Sequence, residues 1–251
     1  MAKIKGKTKV MPNIDLDFSE EELDQDWDLG AFSAGSQDFN FSFDELEPTR
    51  VLTPPKPKAV PRQFVSYKYA KDAAKKIKLG FGMEAHMIVP GTFIFGDFLE
   101  AMFEVHEIQA SKMYISTLSY SSENVDSLRN ILDSGDCDEL NLIVSAYFYS
   151  HYRNSAIQYT YDQLDTSSNK FQLAVTGSHC KVCLIQTYCG KKLVLHGSPN
   201  LRSSACAEQV CIQECPELFD FHKSFADGIL KEYGTINKAV RYKALEKILG
   251  I

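Results

Sequence analysis

No run of apolar residues approaches the ~18 that a membrane-spanning helix needs. The opening MAKIKGKTKVMPNIDLDF carries basic residues without an apolar core, so neither a span nor a secretory leader is expected, and the expected location is the cytoplasm. Glycine and proline are sparse, 14 and 9 among 251 residues, which excludes collagen-like and fibrous classes. Cysteine numbers seven, an odd count, so the expectation is reduced thiols packed as small hydrophobes and not a disulfide framework. There is no internal repeat. Lys and Arg are absent from Asn13 to Glu47, a stretch that holds twelve acids. What remains is an ordinary globular mixture, 44% hydrophobic and 24% charged.

The missing cations divide the chain. Setting the twelve acids aside from the net −6 leaves +6 on the rest of the chain, a mildly basic balance compatible with a polyanionic partner. Residues 1–47 read as a disordered acidic segment, with Trp27, Phe32, Phe39, Phe41 and Phe43 interleaved among carboxylates and no sustained period of 2 or 3.6. Between Pro48 and Pro61, PTRVLTPPKPKAVP holds five of the nine prolines. Such a run cannot continue a helix or an interior strand, so 48–61 is a linker and a folded domain over 62–251 is expected. Carboxylates and rings together imitate the phosphates and bases of a nucleic-acid strand, so the acidic tail is expected to lie over the chain's own groove around Lys181 or on a basic partner.

Within 62–251 the pattern alternates between helix and strand. Tyr67–Lys78 is Ala- and Lys-rich, and Asp97–Gln109 sets Phe98, Leu99, Met102, Phe103 and Val105 on one helical face. KMYISTLSY (112–120) reads as a strand. A helix follows with Ser122 or Asn124 as its cap and Gly135 as its stop, then LNLIVSAYF (140–148) as a buried central strand. After a helix over 157–164 come strands at 171–175, 179–186, 192–198 and 208–214, the middle two joined as a hairpin by a turn containing Gly190. Helices at 216–232 and 236–249 close the chain. Strands alternating with helices imply an α/β fold with a parallel or mixed sheet between helices.

Chemistry-bearing residues gather in two short runs. In SHCKVCLIQ (178–186), period 2 puts His179, Lys181, Cys183 and Ile185 on one face and Cys180, Val182, Leu184 and Gln186 on the other. HGSPNLRSSACAEQ (196–209) delivers Gly197, Ser198 and Asn200 into a loop and Glu208 onto the next strand. An imidazole, an ammonium, a hydroxyl and a carboxamide can bind phosphate oxygens, and a carboxylate can orient the imidazole.

These two runs resemble the phospholipase D superfamily, whose signature is H-x-K-x4-D with a downstream G-S-x-N and a Glu, and most of all its small single-motif members from phages and mobile elements. The resemblance is sharp over 178–209. It implies a phospholipase D-like mixed sheet sandwiched by helices, and a metal-independent phosphodiesterase, a nuclease in the first instance. On that reading His179 is the nucleophile or acid, Lys181 and Asn200 hold the nonbridging oxygens, Gly197 and Ser198 contribute to substrate binding, and Glu208 fixes the imidazole. No cofactor or metal is implied. One motif supplies one His, so a homodimer would build the site. The family's Asp falls at Gln186, which implies impaired turnover, relieved by Gln186→Asp.

Plainer readings exist for each feature. His179 and Lys181 could be solvated residues of an edge strand, and Ser198-Pro199-Asn200 an ordinary turn. Cys180-x-x-Cys183 suggests zinc, but residues three apart on a strand face opposite ways. His86, His106, His196 and His222 read as structural, while His151 with Arg153 could line the site. Two alternatives to a nuclease stand: a catalytically impaired module that binds nucleic acid or protein, and a phospholipid-cleaving enzyme, for which no apolar approach to the site is visible.

Overall fold

The computed structural model of the chain describes residues 62–66, 69–90, 93–165, 170–202 and 206–235. The acidic segment, the linker up to Pro61 and the helix expected at 236–249 lie outside the described residues. In chain order the elements are β1 (Arg62–Ser66), α1 (Ala70–Lys76), β2 (Glu84–Val89), α2 (Phe95–His106), β3 (Ala110–Thr117), α3 (Ser122–Asp133) and β4 (Glu139–Ser145). They continue with α4 (Ala146–His151), α5 (Ala156–Leu164), β5 (Lys170–Thr176), β6 (Val182–Thr187), β7 (Lys192–Gly197), β8 (Glu208–Glu214) and α6 (Pro216–Tyr233).

The strands form one mixed sheet in the order β1-β2-β8-β7-β6-β3-β4-β5. Neighbours β1/β2, β3/β4 and β4/β5 run parallel, and β2/β8, β8/β7, β7/β6 and β6/β3 run antiparallel. The expected α/β fold, a mixed sheet between helices, is therefore present, as is the hairpin turn, where Gly190 takes φ 86.

The two faces of the sheet differ in chemistry. One is mainly apolar: Met87, Ile115, Leu142, Leu173, Ile185, Leu195 and Ile212 are none of them more than 1% exposed. Phe95 of α2 shares a cleft with Ile115, Cys183, Leu195 and Val210 of this face. Helices α1 and α3 flank α2, tied to it by Lys71 to Glu104 and by Ser127 to Asp97. The opposite face is largely polar, with Glu84, His86, Lys112, Tyr114, Asn141, Lys192, His196 and Gln213 in matching registers. Helix α6 supplies counter-groups over part of it. Tyr114 Oη donates to Asp227 at 3.0 Å, Lys192 pairs with Asp220 at 2.6 Å, and Lys223 lies 5.8 Å from the Tyr114 ring centroid. The chain then closes on β5, where the Thr235 N–H donates to Leu173 O at 2.7 Å.

Two boundaries depart from expectation for local reasons. The run expected as a strand to Phe148 ends at Ser145, because Ser145 Oγ accepts the Phe148 N–H at 3.0 Å and donates to Leu118 O at 3.0 Å. That cap starts α4. Helix α3 starts earlier than either expected cap, Ser122 or Asn124, allows. Ser121 is its N-cap, with its own N–H donating to Asn124 Oδ1 at 3.0 Å.

Protonation works against this fold at acid pH. Burial, opposed by a hydrogen bond to Gln213, holds His196 below the ordinary 6.5, and burial, then the nearby His196, does the same for His222. The unfolded chain therefore binds protons that the folded chain refuses, so stability is full above about pH 6.5 and is lost as pH falls from there through the folded values. Thermal unfolding should show a melting temperature that drops between about pH 7.5 and about pH 5.5, with a shallower drop in a His196→Gln/His222→Gln double variant.

Candidate active site

Strand direction alone collects the chemistry at one end of the sheet. The C-terminal ends of β3, β4, β5 and β7 and the N-terminal ends of β6 and β8 share that edge. To pass from β5 to β6 the chain must cross the ends of β4 and β3, three strand spacings or ~14 Å. Residues 177–181 make this crossing, and His179 stands at its middle.

This corrects the expected strand over 179–186: β6 begins at Val182, so His179 and Lys181 precede it. The expected alternation nevertheless continues into the crossing. Lys181 lines a cleft with Thr117, Cys183, Leu195, Gly197 and Pro199, whereas Cys180 lines a separate cavity beneath α6 with Tyr114, Val182 and Leu184. Lys181 Nζ donates to His179 O at 3.2 Å, which ties the ammonium to the crossing segment. Partial burial first, and the Lys181 ammonium second, hold the His179 imidazole below its ordinary pKa. Near neutral pH the ring is thereby biased to the neutral form, with one of its two nitrogens unprotonated.

The second half of the site is built by a close approach of main chains. A β-carbon at residue 197 would stand 2.0 Å from Gln209 O, so only glycine fits there. Beyond it, Ser198 N–H donates to Gln209 O at 3.0 Å, and Gln209 N–H donates to Ser198 Oγ at 3.0 Å. Ser198 Oγ in turn donates to the Glu208 carboxylate. Asn200 Oδ1 accepts the Leu118 N–H at 3.1 Å, Leu201 N–H donates to Thr117 Oγ1 at 3.1 Å, and Arg202 N–H donates to Ser119 O at 3.4 Å. With its oxygen committed to Leu118, Asn200 has its NH2 as the group able to donate to an anion.

The structure thus joins Ser198 to Glu208, fastens Asn200 to the end of β3, and seats His179 and Lys181 on the crossing at the same edge. Thr117, Leu118 and Ser119 position the loop, and no local signal in the sequence marks them for that task. Gln186 is separated from this group. Five positions divide it from Lys181, ~16 Å at the rise of a strand, and it stands between Lys112 of β3 and Lys192 of β7. Those lysines already have carboxylates, Glu139 at 2.8 Å and Asp220 at 2.6 Å.

Of the other histidines, His106 bonds to Ala74 O at 3.0 Å and His86 to Glu84 at 2.7 Å. His196 stands in register with Cys211, which is in register with His86. Cys183 is buried while Cys180 is exposed, and among the described residues no group of three or more His, Cys, Asp or Glu is arranged to hold a metal ion. No helix among the described residues is long and apolar enough to cross a membrane.

No protein-family model matches the chain, and no curated protein matches its sequence. Among solved structures it is similar to Nuc, a phospholipase D family member from Salmonella typhimurium, at 13% identity over 50% of this chain and 81% of that one, TM-score 0.39. NucT from Helicobacter pylori gives 16% identity over 49% and 80%, TM-score 0.39. Phosphatidylserine synthase from Haemophilus influenzae gives 12% over 60% and 39%, TM-score 0.41. At such scores the likeness carries no functional weight, and function is read from this chain's own residues.

The position of Gln186 yields a direct test. A carboxylate placed there meets Lys112 and Lys192, far from His179, so Gln186→Asp should leave any phosphodiester cleavage within a factor of about two. It should change stability by no more than the ~0–1 kcal/mol of an exposed ion pair. A rate increase of tenfold or more, the outcome implied by the family spacing, would instead place residue 186 in the catalytic network.

Proposed function

We propose that this chain is a phosphodiesterase of the phospholipase D type, acting on nucleic acid through a phosphohistidine in a site shared by two copies. The observation that supports this most is the convergence of His179 and Lys181, from the β5–β6 crossing, with Ser198, Asn200 and Glu208, from the ends of β7 and β8, at one edge of the sheet. Over 62–251 the charges nearly cancel, 20 Lys and Arg against 21 Asp and Glu, so what favours an anionic phosphodiester is the local placement of Lys181 and the Asn200 carboxamide.

In the proposed reaction a ring nitrogen of neutral His179 attacks phosphorus. The P–N bond forms as the P–O bond to the departing oxygen breaks, and that oxygen takes a proton from the imidazolium of the second copy's His179. Water then attacks phosphorus, gives its proton to the same second imidazole, and the P–N bond breaks to release the phosphate monoester. Lys181 and the Asn200 NH2 stabilise charge on the nonbridging oxygens, Gly197 leaves room at the loop, Ser198 carries the Glu208 carboxylate, and Glu208 holds the imidazole in position.

Purified protein should cleave labelled DNA or RNA in excess EDTA and lose that activity in His179→Ala. Cleavage restored only by added Mg²⁺ or Zn²⁺ would contradict the imidazole mechanism. Because the Lys181 ammonium contributes to the lowered pKa of His179, Lys181→Gln should shift the acid limb of the pH–rate profile to higher pH as well as lowering the rate. An unshifted limb would mean that another group governs it.

The shared site has its own check. With subunit exchange allowed, excess His179→Ala chains should suppress wild-type activity beyond simple dilution. A fully active monomer at the assay concentration would refute the two-copy arrangement.

A further inference from the structure

The same edge of the sheet carries an aromatic ladder that the proposed reaction does not use. It starts at Tyr120, three residues after β3 ends, where the buried hydroxyl meets Thr160 Oγ1 at 2.7 Å. The Tyr120 ring lies 4.7 Å from Phe148, Phe148 lies 4.9 Å from Tyr152, and Tyr152 lies 6.5 Å from His151. His151 finally stacks on Tyr147, centroids 3.9 Å apart and planes inclined by 32°. The inner rungs are buried, and His151 at the outer end is exposed.

The outer rungs are held in place and continuous with the catalytic loop. His151 Nδ1 bonds to Tyr147 O at 2.9 Å, fixing the imidazole over the ring. Ser145, which caps α4, donates to Leu118 O, and Leu118 is the residue whose N–H holds Asn200. One residue of β3's end therefore anchors both the phosphate-binding carboxamide and the base of the ladder. Charge runs the same way, since Ser145–Ser155 contains Arg153 and no Asp or Glu. Arg202, two residues beyond Asn200, is half-buried within the electrostatic influence of Tyr152 and Glu123.

We infer that Tyr147, His151 and Arg153 form a subsite for a single-stranded nucleic acid, stacking a base flanking the scissile phosphate on the His151–Tyr147 pair and meeting a backbone phosphate with Arg153. A duplex keeps its base faces stacked on one another, whereas a single strand offers them to a protein ring. The subsite extends the proposed reading of His179 by naming the strandedness of its substrate.

The test uses the full chain, wild type and with His151→Ala, Tyr147→Leu, Arg153→Ala and His151→Phe. Binding of fluorescent single-stranded and duplex oligonucleotides is measured on a His179→Ala background, and cleavage of single strands and of bis(4-nitrophenyl) phosphate on the active background. His151→Ala and Tyr147→Leu should each weaken single-strand binding about tenfold or more, raise KM with kcat little changed, and leave duplex binding and the small diester untouched. His151→Phe should restore binding, and Arg153→Ala should reduce the salt slope by about one. Unchanged single-strand binding in His151→Ala overturns the inference. So does an equal loss on duplex, or a loss confined to anionic lipid vesicles. Failure of the wild type to cleave any diester would sink the catalytic reading alone, since the binding arm still decides the subsite.

Discussion

The main chain at Gly197 passes so near the Gln209 carbonyl that a β-carbon there would stand 2.0 Å from it, and the candidate site depends on that approach. It brings Ser198 within reach of both the Gln209 N–H and the Glu208 carboxylate, so a residue leaving β7 is locked to a residue entering β8. The same lock sets the direction in which the next residues leave, toward the end of β3. There, hydrogen bonds to Thr117 and Leu118 hold Leu201 and Asn200. Moving the two strands apart to admit a side chain costs about 1–3 kcal/mol in comparable overpacked positions, and the displacement would fall on Ser198, Asn200 and Glu208.

The parts legible in the sequence were those with local causes. The hairpin of strands expected at 179–186 and 192–198, the Gly190 turn and the apolar faces of α2 and α3 follow from the chemistry of near neighbours, and all are present, with β6 running Val182–Thr187 and β7 Lys192–Gly197. The loop Gly197–Asn200 was legible by residue type. Its fastening to β3 was not, because Leu118 and Asn200 lie 82 positions apart and a main-chain N–H has no sequence signature. The strand start at His179 was misjudged for a related reason. An extended segment that crosses the ends of two strands has the same alternation as a strand, and its last residue, Lys181, still accepts the Gly197 N–H at 3.4 Å although β6 begins only at Val182. At 140–148 the apolar run was continuous, and only the Ser145 cap, with its bond to Leu118, decides that it turns into α4.

Gln186 shows how linear spacing misleads. Counted from Lys181 it occupies the position of a catalytic family's Asp, and an account based on motif alone assigns its lost charge to the imidazole. In the folded sheet the residue occupies the far part of β6 with Lys112 and Lys192 on either side, in a row where the carboxylates come from β4 and α6. A neutral carboxamide is the tolerable occupant of such a row, because both ammonium groups already have partners and a third carboxylate gains little in water.

The polarity of that sheet face bears on the site as well. An apolar face would have let α6 pack on it by area alone, whereas Tyr114 and Lys192 demand specific partners, which Asp227 and Asp220 of α6 provide. Helix α6 is thereby fixed in register over β3 to β7, and His222, Phe225 and Ala226 close the cavity that Cys180 lines from the crossing side. Residues 177–181 are thus bounded on one side by the α6 cavity and on the other by the cleft of Lys181 and Gly197. Within the crossing, Lys181 O accepts the Gly197 N–H at 3.4 Å, which ties the segment to the end of β7. The pKa of His179 is depressed within the same crossing, by partial desolvation first and by the Lys181 ammonium second, while the ring itself stays exposed. Placement and activation of the proposed nucleophile are one consequence of how the chain crosses the sheet.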